Sequence, residues 1–124
     1  MAFFISGHLD LTEHEFNTHY VPLMDTVLKE NGTFILGDAA GADKRAMEYL
    51  WGKTTNVTVY HMFDSPRHNP GFPTQGGYLS DTTRDTAMTQ HSVGDIAWVR
   101  PGREKSGTAK NLVRRLAFPN SGHA

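Results

Sequence analysis

The chain contains no cysteine among its 124 residues. That excludes disulfides and thiolate metal centres, and it suits a reducing compartment. No apolar run approaches the ~20 residues of a membrane span. The opening Met1-Ala2-Phe3-Phe4-Ile5-Ser6-Gly7 lacks the basic n-region of a secretory signal. Neither charge sign is in excess: 12 Lys and Arg stand against 13 Asp and Glu, for a net charge of −1. A protein that coats nucleic acid needs a large positive balance, so nucleic acid is not an expected partner. Internal repeats, low-complexity tracts and linkers are missing too. What remains is one domain, expected over residues 1–118 of a cytoplasmic protein, with a polar tail at 119–124.

What is present alternates between apolar runs and amphipathic stretches. Phe3-Phe4-Ile5 is continuously apolar and ends at Ser6-Gly7-His8, as a strand buried on both faces does. Thr12 and Glu15 have capping-box spacing. Phe16, Tyr20, Met24 and Val27 follow at helical intervals. Pro22 within them predicts a kink, or two short helices with Pro22 in the first turn of the second. Asn31-Gly32 stops that pattern. A second strand, Thr33-Phe34-Ile35-Leu36, leads into the turn Gly37-Asp38-Ala39-Ala40-Gly41-Ala42-Asp43 and a helix striped by Ala42, Ala46, Met47, Leu50 and Trp51. Val57-Thr58-Val59-Tyr60 is a β-branched third strand ending at His61. Residues 62–80 carry Pro66, Pro70, Pro73, Gly71, Gly76 and Gly77, and no regular structure is expected there. A loop of that length is more often functional than passive. Asp81 is the expected N-cap of a helix reaching about His91. A fourth strand spans residues 95–99, and the last helix carries Ala109, Leu112, Val113 and Leu116 on one face. The β-α-β order predicts an α/β fold, a small parallel sheet of four to five strands with helices on both faces. Two unprotected sheet edges make a homodimer the expected assembly.

In an open parallel sheet, ligands bind beyond the C-terminal strand ends. Three loops of small or polar residues are expected on that rim: Ser6-Gly7-His8, the turn from Gly37 to Asp43, and residues 102–108. The second and third run into helices, whose N-termini offer unpaired N–H donors to an anion. Arg100, Arg103, Lys105, Lys110, Arg114 and Arg115 give residues 100–115 half of the chain's basic side chains against one acid, Glu104. A basic rim on a near-neutral protein suits a small anionic ligand. The seven histidines show no ligand spacing on one element, so no metal and no resident cofactor is expected.

The order of these elements resembles the SLOG superfamily, which includes the LOG phosphoribohydrolases, the DprA/Smf proteins and the YspA-like nucleotide-binding proteins. The likeness is carried by Gly37-Asp38-Ala39-Ala40-Gly41-Ala42-Asp43, by Arg84-Asp85 with Met88, and by Asp95-Ile96-Ala97-Trp98-Val99 leading to Ser106-Gly107-Thr108. It is strongest to the YspA-like branch and implies a Rossmann-like sheet that binds a nucleotide or nucleotide derivative. One departure matters. The LOG motif Pro-Gly-Gly-x-Gly-Thr-x-x-Glu ends in a catalytic glutamate, and that position is Asn111 here. Asparagine cannot act as a general base.

Two functions follow as expectations. The first is a sensor or carrier of a nucleotide-like ligand. Gly37, Gly41, Ser106, Gly107 and Thr108 would hold phosphate, Ser6, Asp38, Asp43 and Asn111 would contact ribose or base, and Arg84 and Arg100 would supply charge. Gly7, His8, Ala39 and Gly102 complete the expected ligand contacts. The second is an N-glycoside hydrolase or transferase acting on a nucleoside 5′-phosphate. Its carboxylate would be Asp38 first, with Asp43, Asp85 and Glu104 as further candidates and His61 as an acid.

Overall fold

The computed structural model describes residues 1–117, so the polar tail expected at 119–124 lies outside the described residues. Five strands and five helices follow in the order β1 (Ala2–Ile5), α1 (Glu13–His19), α2 (Val21–Lys29), β2 (Thr33–Leu36), α3 (Ala42–Leu50), β3 (Val57–Met62), β4 (Thr74–Tyr78), α4 (Asp81–Gln90), β5 (Gly94–Ile96) and α5 (Gly107–Arg115). All strand pairs are parallel, in the order β4-β3-β2-β1-β5. The fold is α/β and Rossmann-like. Successive strands step outward from β1 to β4, and the chain then returns to place β5 on the other side of β1. That reversal opens a crevice at the C-terminal ends of β1 and β5.

Alternate residues of β1, β2 and β3 feed two unequal cores, and β5 adds Ile96 to the larger one. On one face Ile5, Phe34, Leu36, Val57, Val59 and Ile96 pack with Phe16, Tyr20, Met24, Ala42, Ala46, Met47 and Leu50 from α1, α2 and α3. On the other, Phe4, Ile35 and Tyr60 meet Met88 of α4 in a much smaller cluster. The thin face is completed by a polar contact: Arg115 of α5 holds Asp95 of β5 at 3.2 Å, with both side chains largely buried. No helix among the described residues is long and apolar enough to cross a membrane.

The local chemistry explains most element boundaries. Thr12 and Glu15 form the reciprocal capping box of α1. Pro22 falls in the first turn of α2, the two-helix alternative of the sequence reading. Three boundaries differ from expectation. Residues 74–78 form a strand despite Gly76 and Gly77, and Gly76 is bare because the His61 ring needs the space. A Cβ on Gly76 would lie 2.0 Å from His61 Cε1. Ser80, not Asp81, caps α4, its Oγ accepting the Thr83 N–H at 3.1 Å. β5 ends at Ile96, short of residue 99, because the next main-chain donors turn to side chains. The Trp98 N–H donates to the Tyr20 hydroxyl at 3.1 Å and the Arg100 N–H to His8 Nε2 at 2.9 Å.

Candidate functional site

Beyond the ends of β1 and β5 lies an open cavity of about 330 Å³. Ser6, Gly7 and His8 line it after β1. Gly37, Ala39 and Asp43 line it after β2, Arg84 from α4, and Ser106, Gly107, Thr108 and Asn111 at the start of α5. Each of these was assigned to ligand contact from sequence, and the fold gathers them around one space. Tyr20 sets the crevice between the strands. Its hydroxyl donates to the Ser6 carbonyl at 2.8 Å while accepting the Trp98 N–H. Burial pushes that phenol up to about 12, so it stays a donor. Gly7 permits this packing, since a Cβ there would lie 2.4 Å from the Ala42 Cβ and from the Tyr20 hydroxyl oxygen.

One wall is a helix start. Ser106 caps α5 by accepting the Ala109 N–H at 3.2 Å. The Gly107 and Thr108 N–H groups have no protein acceptor among the described residues, and a Cβ on Gly107 would meet only open space. Ser6 lines the same cavity, is 6% exposed, and its Oγ has no hydrogen-bond partner among the described residues. A buried hydroxyl without a partner costs free energy, and a bound ligand is one way to supply that partner. Arg103 also lines the cavity, and its contact with Asp10 is long, at 3.6 Å.

The opposite wall is an arginine set among acids. Arg84, nearly buried, reaches Asp38 at 3.1 Å, Asp81 at 3.2 Å and Asp85 at 3.3 Å. Asp38 also takes the Arg67 N–H at 2.8 Å and its Nη2 at 2.9 Å. Burial alone would raise the Asp38 carboxyl, but the Arg67 hydrogen bonds and the charges of Arg67 and Arg84 outweigh it and hold it low. Asp43 is placed differently. Its Oδ2 accepts only the Ala39 N–H, at 3.1 Å, and no ion pair reaches it among the described residues. Enclosure, opposed by that hydrogen bond and by Arg84, pushes its carboxyl up to about 7. Asp43 is half-buried and lines the cavity. Burial raises Asp85 as well, against the pull of Arg84 and of Asn111. The acids converge on arginines. No group of three or more His, Cys, Asp or Glu among the described residues is arranged for a metal ion.

Several expected contacts fall elsewhere. Asp38 does not line the cavity, and both its oxygens are held by arginines. Glu104 is exposed and turns back to accept the Gly102 N–H at 3.2 Å, which leaves both residues outside the cavity. His61 is buried within β3 against Gly76, its Nδ1 donating to the Met62 carbonyl at 3.0 Å. Gly41 caps α3 with φ of 72°, and a Cβ there would lie 2.2 Å from the His8 carbonyl oxygen, so its bareness serves packing. Arg100 is engaged by acids: Glu15 accepts from Nε at 2.8 Å and Nη2 at 2.7 Å, and Asp10 lies at 3.2 Å. The Arg100 hydrogen bonds hold Glu15 down at about 2. His8 lines the cavity as a neutral ring, lowered first by burial and then by Arg103 and Arg100, with Nε2 accepting the Arg100 N–H.

Sequence reasoning did not assign Arg67, Asp81 or Met88 to the cavity. Arg67 comes from the 63–73 crossover, and its only signal was a charged residue inside a long Pro-rich stretch. Asp81 and Met88 stand three and four residues from Arg84 on α4, so helical spacing around a site arginine could have found them. Comparison with protein-family models, with curated proteins and with solved structures found no match.

Proposed function

We propose that this chain binds a nucleotide or nucleotide-derived ligand at the C-terminal rim of its sheet, as a sensor or carrier. The observation that carries the reading is the pairing of two unmet needs in one cavity. Among the described residues the Gly107 and Thr108 N–H groups open α5 without acceptors and the buried Ser6 Oγ lacks a partner. An anionic group seated there satisfies all three and meets the positive end of the helix dipole. Arg103 adds a cation in the same cavity, the Asp85 carboxyl offers an acceptor for sugar hydroxyls, and the Asp43 carboxyl offers a partner for the base. A volume of about 330 Å³ sits at the lower end of small-ligand pockets, the size class of a mononucleotide. The SLOG resemblance points the same way. A homodimer in the cytoplasm belongs to the same proposal, supported by the exposed edge that residues 74–77 of β4 present.

The test is a thermal-shift and calorimetry panel of nucleosides, nucleoside monophosphates and diphosphates, and ribose 5-phosphate. Phosphorylated members should raise the melting temperature, with about 2.7 kcal/mol of stabilisation at a hundredfold excess over Kd. Equal response to unphosphorylated nucleosides, or no response from any member, counts against the site.

A further inference from the structure

We infer that Asp43 reads the base of the ligand as a neutral carboxylic acid, donating one hydrogen bond and accepting another, so that the cavity selects an adenine- or cytosine-type edge over its oxo counterpart. The inference rests on the nucleotide reading above and specifies which nucleotide that site prefers.

The argument begins with charge. Asp38, Asp43, Asp81 and Asp85 crowd two guanidinium groups, Arg84 and Arg67. Asp38 takes both arginines, and Asp81 and Asp85 take the remaining edge of Arg84. Among the described residues no cation is left within contact of Asp43, whose one protein donor there is the neutral Ala39 N–H. The groups that face it are Arg84, Asp85 and Asp38, with Arg67 and Tyr20 sensing it from their own elements. A carboxyl in that setting favours its proton, which agrees with its rise to about 7.

Geometry then fixes which oxygen carries the proton. Oδ2 accepts from the Ala39 N–H, so it acts as the carbonyl oxygen. Oδ1 has no donor or acceptor among the described residues and is not among the buried atoms left without a partner, and the half-buried side chain lines the cavity. The protonated group therefore presents a donor at Oδ1 beside an acceptor at Oδ2. Adenine shows the complement, a ring nitrogen acceptor beside an amino donor, and so does cytosine. Hypoxanthine and uracil reverse both groups. With the sugar phosphate anchored on α5, the base cannot turn over to compensate. Buried hydrogen-bonding groups that meet the wrong partner discriminate strongly.

The experiment measures Kd of the intact chain for AMP against IMP and CMP against UMP, at pH 6 and pH 8. Each pair shares the phosphate, so its titration cancels in the ratio. At pH 6 the amino member should bind at least about tenfold tighter, and the ratio should shrink at pH 8 as the carboxyl ionises. Asp43→Asn keeps a donor and an acceptor without a titrating proton, so the preference should persist and its pH dependence should vanish. Asp43→Ala should remove the preference while ribose 5-phosphate still binds, which also reports that the variant folds. Nucleotides that bind with no amino preference, or a preference that survives Asp43→Ala, overturn the inference and leave the nucleotide reading standing. Absence of binding by all four overturns both.

Discussion

Nη1 of Arg84 lies 3.1 Å from Oδ1 of Asp38, and both side chains are almost wholly buried. Arg84 also touches Asp81 and Asp85, but Asp81 is mostly exposed and Asp38 is its most deeply buried partner. Removing Asp38 therefore leaves a cation short of compensation inside the protein. Asp38→Ala should cost about 3 kcal/mol in urea unfolding, at the lower end of the range for breaking a buried pair. Arg67→Ala removes a half-exposed partner from the same carboxylate and should cost under about 1 kcal/mol. Equal losses from the two variants would show that the clamp is organised by the crossover rather than by Arg84.

Asp43 makes the pH dependence of stability run against the usual direction for a carboxylate. Its folded value of about 7 lies above the unfolded one near 3.8. The folded state therefore holds a proton that the unfolded chain releases, and stability declines as pH rises from about 4 to about 7, then levels off. The decline attributable to this group is at most about 4 kcal/mol. Asp43→Asn should flatten the curve, so that the variant gains on the wild type at pH 8 and not at pH 4. Melting temperatures across pH 4–8 read this directly. A variant curve parallel to the wild type would place the titration elsewhere.

The two rim arginines should separate in binding. Arg100 is committed to Glu15 and Asp10, whereas Arg103 lines the cavity with only a long contact to Asp10 among the described residues. Arg103→Ala should weaken AMP about tenfold, the value of one charge-assisted hydrogen bond, and leave adenosine unaffected. Arg100→Ala should change AMP affinity less than threefold. Calorimetry on both variants with both ligands decides it, and the reverse order of effects would contradict the placement of Arg100.

Gly76 and His61 should behave as one unit. A Cβ at position 76 would meet the buried imidazole at 2.0 Å. Gly76→Ala should cost about 2–3 kcal/mol, as overpacking does. Adding His61→Ala should recover part of that loss, a coupling expected of residues in direct contact. Additive losses in the double-mutant cycle would mean that the strand yields instead of the ring.

The contrast between Arg100 and Ser6 shows what was legible in the sequence. Strand ends, helix caps and the α5 N-terminus are local features, set by patterns a few residues long, and they place Ser6, Gly37 and Thr108 on the rim. Pairings across the chain are not local. Nothing near Arg100 announces that Glu15, far back on α1, takes its charge, or that Arg67 closes over Asp38 from another loop. The same blindness hid β4: Gly76 reads as a breaker until the His61 ring that fills its place is known. Residue type marked the carboxylates as site candidates, but only the count of arginines around each separates Asp38 from Asp43.

Ser6 offers the sharpest separation of stability from function. Its hydroxyl is buried and without a partner among the described residues, yet it lines the cavity. Burying such a group costs about 1–3 kcal/mol in proteins. Ser6→Ala removes the hydroxyl and keeps the Ser6 main-chain carbonyl that Tyr20 uses. The unliganded variant should therefore be as stable as the wild type or more so, by up to about 1 kcal/mol. If the hydroxyl serves a ligand, affinity for a nucleoside monophosphate should fall about fivefold in the same variant, the loss of one neutral hydrogen bond. Opposite signs in urea unfolding and in calorimetry mark a residue kept for binding at a cost to the fold. A variant that loses stability would show that the Ser6 hydroxyl has a structural partner, and its orphaned state would then no longer support the site.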